Sequence, residues 1–295
     1  MSRVLITGGT GMVGKHLKKI MPDAIFVGSR DCDLTDITHV RWLISSYTPH
    51  TVVHLAAKVG GIQDNIAKAA EYYDDNIIMN TNIVKVCYER QVGRFIGVLS
   101  TCAYPDVSDN YPMTEKDLFS GPPAPTNFSY GYTKRALAVQ IDSYNKQYGT
   151  KYNYIIPCNL YSEYDNFDND KKMHFITALL KKIKLADDNI DLLGTGSPLR
   201  QFMYAGDLAE IIDRTIKLDI IESFNVAPNY NHSIDEMARM ALSVADKDCK
   251  INYSQPHLDG QYRKDVSSKL LMSIFPDFKF TDLRDGMRRV YESIH

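Results

Sequence analysis

The chain has 295 residues, 44% hydrophobic and 24% charged, with a formal net charge of −2. That length supports one large domain or two small ones, and the near-neutral balance excludes a surface built to coat nucleic acid. No apolar run reaches the roughly 20 residues that cross a bilayer, and no charged-then-apolar leader opens the chain, so neither a membrane nor export is expected.

In chain order, strands are predicted at Arg3–Thr7, Ala24–Gly28, Thr51–Ala56, Arg94–Leu99 and Tyr152–Pro157. They are Val-, Ile- and Leu-rich without clean alternation, the pattern of parallel strands covered on both faces. Helices are predicted between them at Met12–Ile20, Ile37–Ser46, Tyr72–Arg90 and Tyr130–Tyr148, the last closed by Gly149. From about Asn159 the pattern changes. Asn166–Lys172 reads as a polar loop, His174–Ala186 as a helix, Ile190–Leu193 as a strand and Gly194–Gly196 as a turn. Ser233 with Glu236 forms a capping-box signature, and Thr281 is the expected cap of the last helix. Five scattered cysteines (Cys32, Cys87, Cys102, Cys158, Cys249) form no CxxC pair. They point to a reducing compartment, the cytoplasm, with neither a disulfide framework nor a metal site.

The first strand runs into Thr7-Gly8-Gly9-Thr10-Gly11-Met12-Val13-Gly14, which opens the first helix. Gly8 permits a tight turn, Gly11 lets the backbone approach a pyrophosphate, and Gly14 allows close helix–sheet packing. The helix then offers unpaired N–H groups to the anion. The fold class is therefore α/β: a Rossmann-type doubly wound parallel sheet over residues 1–158, with returning segments near 200–228, and a smaller C-terminal α/β substrate-binding region over 159–295. At the end of the second strand, Ser29 and Arg30 suit a 2′-phosphate and hence NADP(H), although Asp31 follows and a solvated Arg30 is the alternative. Asp33 and Leu34 are expected near the adenine, and Leu55, Ala56 and Ala57 against the cofactor.

Tyr130 and Lys134 form YxxxK, one helical turn apart on one face. A nearby ammonium would lower the phenol pKa and make it a better proton donor to a carbonyl becoming an alkoxide. Ser100, at the end of the preceding strand, could hold that carbonyl. A glycine loop, a strand-end serine and YxxxK in this order resemble the extended short-chain dehydrogenase/reductases.

Further segments resemble the GDP-L-fucose synthases, the GDP-4-keto-6-deoxy-mannose 3,5-epimerase/4-reductases. They are Ala56–Ile62, Ser100-Thr101-Cys102, Tyr130–Arg135, His174 with Ala178–Leu180, Gly194–Arg200, and Asp259-Gly260 with Arg263-Lys264. The resemblance implies NADPH-dependent reduction at C4 of a GDP-4-keto-6-deoxy sugar with epimerisation at C3 and C5. It implies Cys102 and His174 as base and acid, with Ser100 and Tyr130 stabilising the oxygen at C4. It adds Leu99, Pro157, Asn159, Leu160 and His174 to the cofactor site, and assigns Lys58, Asn159, Lys182, Leu193, Arg200 and Asp259 to the substrate. It also implies a homodimer through the helices Tyr72–Arg90 and Tyr130–Tyr148. Plainer roles exist: Cys102 as a small buried filler, His174 as a solvated helix start, Lys182 as part of a wet helix face. Ser162-Glu163-Tyr164 stand where the family carries Gly-Pro-His, and Ala205-Gly206-Asp207 where it carries Val-Asp-Asp. Such changes are expected on the substrate side, which leaves the sugar open. A GDP-4-keto-6-deoxy-heptose, or C4 reduction without both inversions, is the alternative. An NAD-retaining 4-epimerase or 4,6-dehydratase and a non-enzymatic NADP-binding subunit are the others.

Overall fold

In the computed structural model, which describes residues 3–167, 173–256 and 259–294, the apolar runs of the first half form strands buried at most positions. These are β1 (Val4–Thr7), β2 (Ile25–Val27), β3 (Thr51–His54), β4 (Arg94–Val98) and β5 (Tyr152–Pro157). Short strands follow: β6 (Asn159–Tyr161), β7 (Asn189–Leu193), β8 (Leu199–Arg200), β9 (Phe202–Tyr204), β10 (Phe224–Val226), β11 (His232–Ser233), β12 (Lys250–Ser254) and β13 (Arg263–Lys264). One parallel sheet has the spatial order β10-β5-β4-β3-β1-β2. The chain moves outward from β1 to β2 and then crosses back to β3. This reversal opens a crevice at the carboxyl ends of β1 and β3, where such sheets take ligands.

The helices are α1 (Met12–Ile20), α2 (Ile37–Tyr47), α3 (Ile62–Ala67), α4 (Ala69–Glu89), α5 (Phe128–Tyr148), α6 (Phe175–Leu185), α7 (Ala205–Lys217), α8 (Ile234–Ala245), α9 (Lys269–Ile274) and α10 (Leu283–Ser293). On the sheet, α1 packs with α7, while α4 packs between α2 and α5. Gly149 closes α5 at φ 67°, a left-handed turn that glycine adopts without a Cβ penalty. A second apolar core joins α6, α8 and α10 through Leu180, Ile183, Met237, Met287 and Val290. Beside it, β7 pairs with β12, and β8 lies between β11 and β13.

Several predicted bounds shift. Both long helices begin earlier than expected, at Ala69 and Phe128. His174 is the cap residue rather than the first residue of α6. The Ser233–Glu236 capping box forms, with Ser233 N–H donating to Glu236 and Glu236 N–H to Ser233 Oγ. Thr281 does not cap α10: Asp282 does, accepting from the N–H of Arg284 at 2.9 Å. Thr281 instead donates its hydroxyl to Asp207 at 2.6 Å, so the neighbouring carboxylate takes the cap. Of the loop expected at Asn166–Lys172, residues 168–172 lie outside the described residues. No described helix is long and apolar enough to cross a membrane.

Candidate active site

The glycine loop is built by contacts no side chain could share. A Cβ on Gly8, whose φ is +68°, would lie 2.6 Å from the Ala56 nitrogen, and one on Gly14 would lie 2.2 Å from the Gly9 carbonyl oxygen. Glycine at these positions lets α1 start flush against β1 and β3. Gly11 caps α1 with no side-chain hydrogen bond, so its first N–H groups stay open to an anion. Thr10, Met12 and Val13 complete the turn. At the tip of β2, Ser29 and Arg30 are exposed, and Arg30 has no ion-pair partner among the described residues. Asp31 is committed elsewhere, accepting the Gly28 N–H at 2.7 Å. Asp33 holds Thr35, Leu34 is buried, and Asp36 caps α2.

A buried polar chain ties this half to α5. Thr7 and His54 share a 2.7 Å hydrogen bond, His54 Nε2 lies 3.0 Å from Asn80 Oδ1, and Asn80 Nδ2 donates to the Thr133 carbonyl. Burial, with the Lys134 charge adding, holds His54 down to about 3, so it is neutral. Its Nε2–H then donates to Asn80 and its Nδ1 accepts from Thr7. The chain fixes α5 one residue before Lys134.

At the end of β4 the chain turns through Ser100, Thr101 and Cys102, with the Cys102 N–H donating to Ser100 Oγ at 3.2 Å. α5 comes close to this turn because residue 131 is glycine: a Cβ there would sit 2.6 Å from the Cys102 carbonyl oxygen. Tyr130, the residue before that glycine, is partly exposed and lies near enough to Cys102 to feel its charge. Lys134 is 2% exposed and donates to the Val98 carbonyl at 2.7 Å, its Nζ 5.7 Å from the Tyr130 ring centre. Burial brings Lys134 down to about 8. The expected depression of the Tyr130 phenol is not found: desolvation, with Cys102 adding, pushes it above its ordinary value.

Cys102 behaves in the opposite way. Burial alone would raise its thiol, but Lys264, Ser100 and Arg200 together bring it below its ordinary value. Lys264 Nζ donates to Cys102 Sγ at 3.0 Å. His174 is fixed by Asp165, whose carboxylate takes both the His174 backbone N–H at 2.9 Å and Nδ1 at 3.0 Å. Burial would raise the Asp165 carboxyl, yet His174 and two backbone N–H groups hold it below the usual range.

The remaining expected residues spread along the C-terminal rim. Arg200 donates to the Leu199, Tyr262 and Asp259 carbonyls. Both Asp259 carboxylate oxygens are taken by Thr195. Lys182 is exposed and donates to the Asp191 carbonyl, and Leu193 ends the same strand half-exposed. Asn159 donates to the Gln201 carbonyl, with Pro157 and Leu160 flanking it. Lys58 pairs with Asp75 at 2.6 Å and Glu71 at 3.4 Å. The substituted triplet does not follow the expected substrate-side placement. Ser162 shares a hydrogen bond with His16 of α1, Glu163 accepts from Tyr204, and the Tyr164 ring lies under Lys15 and Lys19. Polar and aromatic groups there find partners on the phosphate-loop helix. Lys264, Asp165 and Gly131 received no role from sequence, although Arg263-Lys264 and Tyr130–Arg135 stood in resembling segments; His54 was expected only to end the third strand against the cofactor, not to link it to α5.

Residues 4–227 match the model of the NAD dependent epimerase/dehydratase family. The chain is 35% identical over 298 residues to a GDP-L-fucose synthase of Dictyostelium discoideum, covering 97% of this chain and 92% of that one. It is also similar to the solved structure of a GDP-L-fucose synthetase from Naegleria fowleri bound to NADP. There the identity is 31% and the TM-score 0.89, with 99% of this chain and 92% of that chain covered. A GDP-6-OMe-4-keto-L-xylo-heptose reductase from C. jejuni has the same fold, at 22% identity and TM-score 0.89 over 99% and 97% of the two chains.

Proposed function

The chain belongs to the NAD dependent epimerase/dehydratase family and within it to the GDP-L-fucose synthases, and from that premise we propose that it inverts C3 and C5 of a GDP-4-keto-6-deoxy sugar and reduces C4 with NADPH. The observation that carries the reading is the close approach of α5, which bears Tyr130 and Lys134, to the Ser100–Cys102 turn, with Lys134 tied to the Val98 carbonyl just before that turn.

The residues present fit NADP. Gly8 and Gly14 make a cradle that a Cβ would fill, Gly11 leaves the α1 N–H groups uncapped, and Arg30 is a partnerless cation at the tip of β2. The loop Gly8–Gly14 would hold the pyrophosphate. Ser29 and Arg30 would hold the 2′-phosphate, Asp33 and Leu34 the adenine side, and Leu55–Ala57, Leu99, Tyr130, Lys134, Pro157, Asn159, Leu160 and His174 the rest. When bound, NADPH supplies the hydride. Ser100 and Tyr130 hydrogen-bond the C4 oxygen, first as an enolate and then as the alkoxide that Tyr130 protonates. Cys102 and His174 move protons at C3 and C5. Arg200, Lys182 and the Asp259 turn take the nucleotide diphosphate and sugar, with Lys58, Asn159 and Leu193 at the margins. In this reading residues 1–158, with the return near 200–228, hold NADP, and 159–295 hold the sugar. The chain works as a cytoplasmic homodimer: Ile78, Val139, Tyr88 and Tyr148 expose apolar surface on α4 and α5.

The test is NADPH oxidation against GDP-, dTDP- and UDP-linked 4-keto sugars, with NMR of the product, and solvent deuterium incorporation without NADPH. Turnover with GDP-4-keto-6-deoxy-mannose and exchange at C3 and C5 are expected. Turnover without exchange leaves a C4 reductase only. No turnover with any 4-keto sugar removes the enzyme assignment.

A further inference from the structure

Lys264 and Cys102 are 162 residues apart in sequence, yet the Lys264 ammonium donates to the Cys102 sulfur at 3.0 Å. Lys264 is 5% exposed, and no carboxylate lies within ion-pair reach of it among the described residues. The acid that follows it, Asp265, is taken by Arg263. An ammonium so enclosed is costly unless an anion faces it, and the facing side chain is a thiol. Arg200, the register partner of Lys264 across β8 and β13, adds a second positive charge. The groups that face Cys102 are thus Lys264 from β13, Arg200 from β8, Ser100 from its own turn, and Tyr130 and Lys134 from α5. Three of these five are cations.

We infer that Lys264 is a positioning residue that holds Cys102 as a thiolate and so makes it the base at the sugar carbon, an inference that rests on the epimerase reading above. In this step the C–H bond beside the ketone breaks and an S–H bond forms on Cys102. The released electron pair moves onto the C4 oxygen facing Ser100 and Tyr130. A proton from His174 is delivered to the opposite ring face as the enolate collapses. Solvent then takes the proton from Cys102 and restores the one on His174. The cation stores no proton in this cycle; it sets how readily the sulfur gives one up.

The test is the pH dependence of iodoacetamide alkylation of the full chain, with the 240 nm thiolate absorbance followed in parallel. The other four cysteines are buried, and Cys102→Ser supplies the blank. The wild-type midpoint is expected below the ~8.5 of a free thiol. Lys264→Met raises it and slows alkylation at pH 7 roughly tenfold or more, and Lys264→Arg restores most of the rate. A wild-type midpoint at or above ~8.5 overturns the inference without need of any variant, and so does an unchanged profile in Lys264→Met. Deuterium wash-in separates the two readings. Wash-in with an ordinary midpoint overturns the role of Lys264 alone. A low midpoint without wash-in overturns the base role together with the epimerase assignment.

Discussion

The buried Asp165 carboxylate holds His174 at two points, accepting its backbone N–H at 2.9 Å and its Nδ1 at 3.0 Å. Among the described residues Nε2 has no partner, which leaves it as the ring atom that can deliver a proton. Asp165→Asn removes the carboxylate that accepts from Nδ1 while keeping the side chain's size. Turnover is expected to fall roughly tenfold to a hundredfold with little change in KM, since the group acts on proton transfer. Steady-state rates and the rate of solvent deuterium entry check this; an unchanged wash-in rate removes Asp165 from the mechanism.

Arg30 has no protein partner among the described residues, and Asp31 is spent on the Gly28 N–H. If Arg30 is there for a 2′-phosphate, Arg30→Ala loses a charge-assisted contact and raises the KM for NADPH about 10- to 100-fold. The KM for NADH is expected to stay within about twofold, because NADH carries no such phosphate. Equal effects on the two cofactors would show that the contact is not made.

A Cβ on residue 14 meets the Gly9 backbone at 2.2 Å, where no rotamer change brings relief. Gly14→Ala is expected to destabilise the chain by about 1–3 kcal/mol. It also pushes α1 off the loop, so NADP affinity falls at least as far as stability does. Urea unfolding and cofactor titration measure the two effects separately.

Lys134 is buried and titrates near 8 in the folded protein, against roughly 10.4 for a free lysine. Below pH 8 both states are protonated and the cost of burying the ammonium is fully present. Between 8 and roughly 10.4 the unfolded chain binds more protons, so this residue's contribution to stability rises with pH. Lys134→Met is therefore expected to be more stable than wild type at pH 7, by on the order of 2 kcal/mol, with the difference shrinking toward pH 10. Denaturant unfolding of both proteins at the two pH values tests the sign.

The cofactor half was readable in sequence because its constraints are local. Parallel strands buried on two faces leave unbroken apolar runs, and the loop from Gly8 to Gly14 permits few residues but glycine. Tyr130 and Lys134 share a helix face by spacing alone. The sugar half resisted for the opposite reason. β8, β11 and β13 have two residues each, too few to show a period. The Lys264–Cys102 contact joins distant segments. Thr281 and Asp282 are both competent caps, and only the position of Asp207 decided between them. Ser162, Glu163 and Tyr164 were placed wrongly because their partner His16 lies 146 residues from Ser162.

The outer strand β10, Phe224–Val226, pairs with β5 only after the chain has passed through α6, β7 and α7. A ribosome must therefore release the chain through Val226 before the nucleotide half can close its last edge. Until then β5 offers bare peptide groups to whatever is nearby. Newly made chains would be most in need of a chaperone during that interval, and splitting the gene at residue 158 would yield a first fragment that aggregates rather than a portable cofactor module.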